Sequence, residues 1–115
     1  MDVTLLQNAP NIIEAIREES QWYTYEDIMR DPWNTFVYSH VGYSQTSVDN
    51  YLSSIETEIE AVIDFASTWD IDPNEYDFSD LEKKAQFAFF YIAYELQSDQ
   101  EWEQEQEQEQ ELEAA

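Results

Sequence analysis

The chain has 115 residues, 43% hydrophobic and 16% aromatic, enough for one folded domain with a real core and too apolar for wholesale disorder. Four Lys and Arg stand against 27 Asp and Glu, a net charge of -23, and repulsion on that scale excludes nucleic acid, acidic lipid and acidic substrates as direct ligands while pointing to a basic partner. The absence of cysteine rules out disulfide and thiolate chemistry, and with no basic-then-apolar leader and no apolar run of about 18 residues, a soluble cytoplasmic protein is expected.

Residues 1–7 form a short apolar lead-in. Asn8 is placed to cap a helix with Pro10 in its first turn, where the missing N–H costs nothing. Ile12, Ile13 and Ile16, with Leu6 as a further candidate, mark its buried side. Glu14, Glu18 and Glu19 are read as lying outside, around Arg17, and the helix ends near Ser20. Thr24 with Asp27 three residues on is a variant capping box that opens a short helix, Tyr25 to Arg30. Asp31-Pro32 restarts the chain, Asp as cap and Pro at the first helical position. Trp33, Phe36, Val37 and His40 then form the inner face of a two-turn helix, stopped by Gly42, the only glycine.

The longest amphipathic signal runs from Thr46 to Trp69. Val48, Tyr51, Leu52, Ile55, Ile59, Val62, Ile63, Ala66 and Trp69 recur in steps of three and four, which predicts one helix of about six turns. Thr46 with Asp49 supplies its start. The opposite face carries Asp49, Glu56, Glu60 and Asp64, and the last three stack at i, i+4 and i+8 with about 6 Å of rise between neighbours. Like charges at that spacing each cost a few tenths of a kcal/mol. No Lys or Arg lies between Asp31 and Lys83 in sequence to relieve them, so this face is expected to be uncompensated and presented.

A loop follows. Asp70, Asp72, Asn74 and Tyr76 fall at positions 1, 3, 5 and 7 of an EF-hand pattern, but Glu75 stands where the turn needs Gly and Leu81 where a bidentate Glu is needed. No metal is therefore expected. Ser79 with Glu82 is a full capping box and predicts the next helix start. In that helix Leu81, Ala85, Ala88, Phe89, Ile92 and Leu96 form one stripe, and Phe87, Phe90, Tyr91 and Tyr94 a second. A helix apolar nearly all round is either central or shared between subunits. In so short a chain the second stripe is expected to pair two copies as a homodimer. Residues 99–115 hold eight of the 27 acids in a Glu/Gln repeat of period two, which scatters charge around a helix axis; a solvated helical extension and disorder are both open. No period-two apolar pattern marks a strand. The expected class is all-α: two long helices and several short ones in a body of residues 1–98, then an acidic tail of residues 99–115.

Catalysis finds little support. His40, the sole histidine, sits on an aromatic face and reads as a packed residue, not a general base. There is no cysteine nucleophile and no Gly-rich phosphate loop, and no carboxylate pair stands out from the rest. Neither enzyme activity nor a cofactor is expected. The aromatics Trp22, Tyr23, Tyr25, Trp33, Phe36 and Tyr38 read as core, with some at an interface.

The acidic surface carries the functional expectation. Duplex DNA has one phosphate charge per about 1.7 Å of axis. A dimer of the chain would carry 46 net negative charges, twice 23, matching roughly 80 Å of duplex at that density. Carboxylates in rows such as Glu56, Glu60 and Asp64 can then stand in for phosphates, and a scaffold already bent spares the few kcal/mol of bending DNA. The candidate contacts are Glu18, Glu19, Glu26, Asp27, Asp49, Glu56, Glu60, Asp64, Asp70, Asp72, Asp77 and Asp80.

The stretch Tyr25-Glu26-Asp27-Ile28 followed by Arg30-Asp31, the acidic loop Asp70-Ile71-Asp72 before a long helix, and the acidic C-terminal tail resemble the small all-α anti-restriction DNA mimics of bacteriophages, of the Ocr type. The Glu/Gln repeat and heavier aromatic load depart from that family. The resemblance implies a homodimer that occupies the DNA groove of type I restriction–modification enzymes and related defence complexes, in a host cell's cytoplasm. Anti-CRISPR proteins and inhibitors of uracil-DNA glycosylase work by similar occlusion, which leaves the target open. Two other expectations stand beside it. An acidic adaptor or chaperone for a basic nucleic-acid-binding protein would use the Glu/Gln tail as its main contact, and a halophile protein would unfold in low salt.

Overall fold

The computed structural model of the chain describes residues 2–114, with side chains described for residues 2–100. The fold is all-α, with no strand among the described residues. In chain order the helices are α1 (Val3–Asn8), α2 (Pro10–Glu19), α3 (Tyr25–Arg30), α4 (Tyr38–His40), α5 (Gln45–Ser54), α6 (Glu56–Trp69) and α7 (Leu81–Ala114). A π-turn, Trp33–Val37, leads into α4, and a 3-10 turn, Pro73–Glu75, lies between α6 and α7.

The centre of the fold is α7. It packs against α2, α3, α5 and α6, and Ala85, Ala88, Phe89, Ile92 and Ala93 are fully buried along it. Small alanines let the neighbouring helices approach closely while Phe89 and Ile92 fill the space between them. Phe89 meets Phe36 at a ring separation of 4.7 Å, and Ile12, Ile16, Ile28, Leu52, Ile59 and Val62 complete the core.

The second stripe of α7 is largely spent inside the chain. Phe87 lies under Tyr76 and Phe78 from the α6–α7 loop, at ring separations of 5.1 and 5.4 Å, and Tyr91 packs near Phe65 and donates its hydroxyl to Asp70. Both are buried. Phe90 and Tyr94, 38% and 46% exposed, are all that remains of the surface expected to pair two copies. The helix is central, and Asp70, Tyr76 and Phe78 of the loop between α6 and Leu81 cover part of its outer face.

Four local expectations are corrected. The predicted six-turn helix is broken at Ile55 into α5 and α6. There the Ile55 N–H donates to Leu52 C=O three residues back, and the Ser54 hydroxyl donates to Tyr51 C=O at 2.6 Å, in competition with the helical bond. Ser44, not Thr46, caps α5, and Asp80, not Ser79, caps α7 by accepting the Lys83 N–H at 2.8 Å. Asn8 ends α1 instead of opening α2. Ala9 has no side chain to cap α2, and Glu58 of α6 does so from across the fold: the Asn11 and Ile12 N–H groups donate to its Oε1 at 2.8 and 3.2 Å. The Thr24 cap, the Tyr25–Arg30 helix and the Asp31 restart are as expected. Gly42 closes α4 at φ +110°, a backbone conformation that only glycine adopts without strain.

Candidate partner-binding surface

The acidic row on α6 is set by its buried side. Ile59, Val62 and Ala66 are fully buried, which turns Glu56, Glu60 and Asp64 outwards, all three exposed. The row is not uncompensated. Lys84 of α7 reaches across to Glu60, Nζ to Oε1 3.3 Å, a pairing between residues 24 apart that linear spacing does not reveal. Such an exposed pair contributes little stability, but it offsets the formal charge at the middle of the row and leaves Glu56 and Asp64 as its anionic poles.

On α2, Glu14 and Glu18 are exposed one turn apart, and Glu18 lines a shallow cleft with His40 and Tyr51. Glu19 is a different case. Only 8% exposed, it accepts the Ser39 hydroxyl at 2.6 Å and lies 3.5 Å from His40 Nδ1. It follows Ile12 by seven residues and Ile16 by three, so it shares their inward stripe. Its carboxylate is internal, and it is withdrawn from the set of partner contacts. His40 stacks on Phe36 at 5.5 Å, as a packed edge residue.

The other candidates divide between free and committed groups. Glu26 pairs with Arg30 at 3.3 Å on the exposed face of α3, next to half-buried Asp27. Asp49 accepts from the amide of Gln45, which also donates to Glu82, so one neutral side chain bridges two acids from α5 and α7. Asp72 caps the 3-10 turn through the Asn74 N–H. Asp77 accepts from Lys83 Nζ at 2.8 Å and from the Ser79 N–H. These bonds, the Lys83 one largest, hold its carboxyl down at about 2. Asp80 is the α7 cap and faces the same lysine at 4.0 Å. Asp77 and Asp80 therefore present a half-neutralised cluster, not a free anionic pair. Asp31, outside the candidate set, is likewise lowered by its bonds to Asn34.

The loop carboxylates do not gather round a cation. Among the described residues no three His, Cys, Asp or Glu side chains converge as metal ligands. Asp70 instead turns to the Tyr91 hydroxyl on α7, where Glu95 also faces. Burial, then the bond to Asp70 and the nearby Glu95 charge, push the Tyr91 phenol up; burial and the charges of Asp70 and Asp99 push Glu95 up. This corner of the molecule is also rich in aromatics, and the sequence shows it only as two separate features, an acidic loop and a second stripe.

No helix among the described residues is long and apolar enough to cross a membrane. The chain matches no known protein family, and no curated protein or solved structure is detectably similar to it.

Proposed function

We propose that the chain is a DNA-mimic inhibitor that occupies the DNA-binding groove of a host defence or DNA-processing enzyme, with a type I restriction–modification enzyme as the first target class. The observation that carries this reading is the Glu56–Glu60–Asp64 row, fixed on α6 by a fully buried inner face. Its rise of about 6 Å per carboxylate is close to that of every second phosphate along one DNA strand, at 3.4 Å each. The net charge of -23 corresponds to about 39 Å of duplex on a chain of 56 × 31 × 24 Å, the acidic tail included. A basic groove releases counterions from either ligand, so a single copy is long enough to compete, and the reading does not require a dimer.

The test is competition. A type I enzyme holding a labelled duplex with its recognition site should lose that duplex as the protein is added, with an affinity that falls steeply with salt. A ternary complex of enzyme, duplex and protein would refute the proposal.

A second reading draws on α7, which runs on as helix through the Glu/Gln repeat to Ala114. As an acidic adaptor for a basic nucleic-acid-binding protein, the chain would use that arm as its main contact. Deleting residues 99–115 should abolish binding to such a protein, whereas a mimic keeps most of its affinity for the enzyme.

A further inference from the structure

Two adjoining grooves lie between the outer face of α7 and the loop before it. The larger, about 430 Å³, has Tyr76, Phe90 and Tyr94 as aromatic walls and Asp70 and Glu95 as its carboxylates. The smaller, about 320 Å³, has Met29, Pro32 and Phe78 as apolar walls and is also lined by Arg30, Asp77, Lys83 and Gln86. Tyr76, Phe87 and Phe90 belong to both, so the two form one track with an anionic end and a mixed end, where apolar walls stand beside Arg30 and Lys83, each paired with an acid.

The anionic end has more acceptors than donors. Asp70 and Glu95 both face the Tyr91 hydroxyl, which has a single proton to give, and Asp70 takes it. No Lys, Arg or His stands among the described residues lining that groove. The chain spends its scarce cations on its acids: Arg30 on Glu26 and Lys83 on Asp77, both at the other end of the track, and Lys84 on Glu60. None of these three cations lines the Asp70–Glu95 end, which suits a cationic side chain of a partner. Ring faces beside paired carboxylates suit a guanidinium better than an ammonium, because the planar fork stacks on the rings while its N–H groups bond both oxygens. A second copy of the chain is a poor occupant, since it would bring another net charge of -23 to an already anionic end.

We infer that this track binds an arginine side chain of a basic partner protein, the guanidinium between Tyr94, Phe90 and the Asp70–Glu95 pair and the neighbouring apolar residue in the Phe78 end. The inference rests on the basic partner of the proposed function and deepens it: it names a contact that reads arginine instead of only its charge. An enzyme that grips phosphates with arginines would find here a seat that DNA's backbone does not offer.

The probe is the dipeptide acetyl-Leu-Arg-amide, titrated into the full chain at physiological salt and followed by the NMR ring resonances of Phe90 and Tyr94. These should shift, and the citrulline counterpart, equal in shape but neutral, should bind about tenfold more weakly. Glu95→Gln and Tyr94→Ala should each lower arginine-peptide affinity by a similar factor, while Glu56→Gln/Asp64→Asn should leave it unchanged. Equal binding of the citrulline peptide, unmoved ring resonances, or an unchanged affinity in Glu95→Gln would each overturn the inference. So would ring shifts that follow protein concentration alone, which would mark a self-association face. Because no enzyme is present, peptide binding that persists while duplex competition fails removes the mimic reading only, and the reverse result removes the groove only.

Discussion

Glu58 holds Asn11 with both oxygens: Oε1 accepts the Asn11 backbone N–H at 2.8 Å and Oε2 accepts its side-chain amide at 2.7 Å. The two residues are 47 apart in the chain. The contact closes the N-terminus of α2, where Pro10 supplies no N–H and Ala9 no capping oxygen. Glu58 lies three residues beyond the break at Ile55, in the first turn of α6. A carboxylate at the α2 N-terminus meets the positive end of the α2 dipole as well as its free donors. The same charge, after burial, helps push the Tyr51 phenol up.

Glu58→Ala should therefore lower stability by about 1–2 kcal/mol, the usual cost of a lost helix cap, as read by urea denaturation. Asn11→Ala should cost less, because the backbone bond survives. The double variant should be less than additive, since both changes break the same contact. Strict additivity would show that the two residues do not act together.

Asp77 sets an acid-side dependence. Its folded-state carboxyl lies at about 2, below its ordinary value of 3.8, because Lys83 and Ser79 hydrogen-bond the charged form. A depressed carboxyl contributes stability that is present above 3.8 and lost as pH falls towards about 2. Asp77→Asn should be less stable than the parent at neutral pH, and the gap should close across that window. Stability curves measured from pH 6 down to pH 2 check this; a gap independent of pH would point to packing instead of charge.

Glu95 has the opposite sign. Its carboxyl is raised by burial and by the charges of Asp70 and Asp99. Stability then falls as pH rises through the raised value, because the folded state holds the proton more tightly. Glu95→Gln should be more stable than the parent at neutral pH and equal to it in acid, where both side chains are neutral. Thermal melts at pH 7 and pH 3 separate the cases. A variant that is more stable yet binds an arginine peptide less well marks a group kept for contact.

For the α6 row, Glu56→Gln/Glu60→Gln/Asp64→Asn should reduce the salt dependence of binding to a target enzyme. If each carboxylate replaces one phosphate, the slope of log affinity against log salt should drop by about 2 to 3. Glu19→Gln should leave that slope unchanged, because its carboxylate points inwards to Ser39 and His40. A slope that responds equally to both variants would mean that only net charge matters.

Local signals carried much of the fold. Thr24 and Asp31 mark their helix starts because a cap acts over three residues, and the 3.6-residue period finds the buried faces of α2, α6 and α7. The break at Ile55 escapes that period. Ile55 is itself buried, so the apolar stripe runs unbroken across the kink. Ser44 and Asp80 each lie within two residues of another good cap, and sequence alone cannot choose between them. Glu19 was legible in part, on the Ile12–Ile16 stripe, but its charge argues for solvent until Ser39 and His40 are seen beside it. The Lys84–Glu60 pair, the Glu58 cap and the Asp70–Tyr91 contact join residues more than 20 apart, beyond the reach of any local rule.

The central position of α7 bears on the order of events at the ribosome. All six shorter helices precede it in the chain, and α2, α3, α5 and α6 each lean on it. Until residues around Ile92 leave the exit tunnel, α1, α2 and α6 can meet one another, but the surface that α2, α3, α5 and α6 share is missing. Completion of the body is thereby deferred until α7, last in the chain, has emerged.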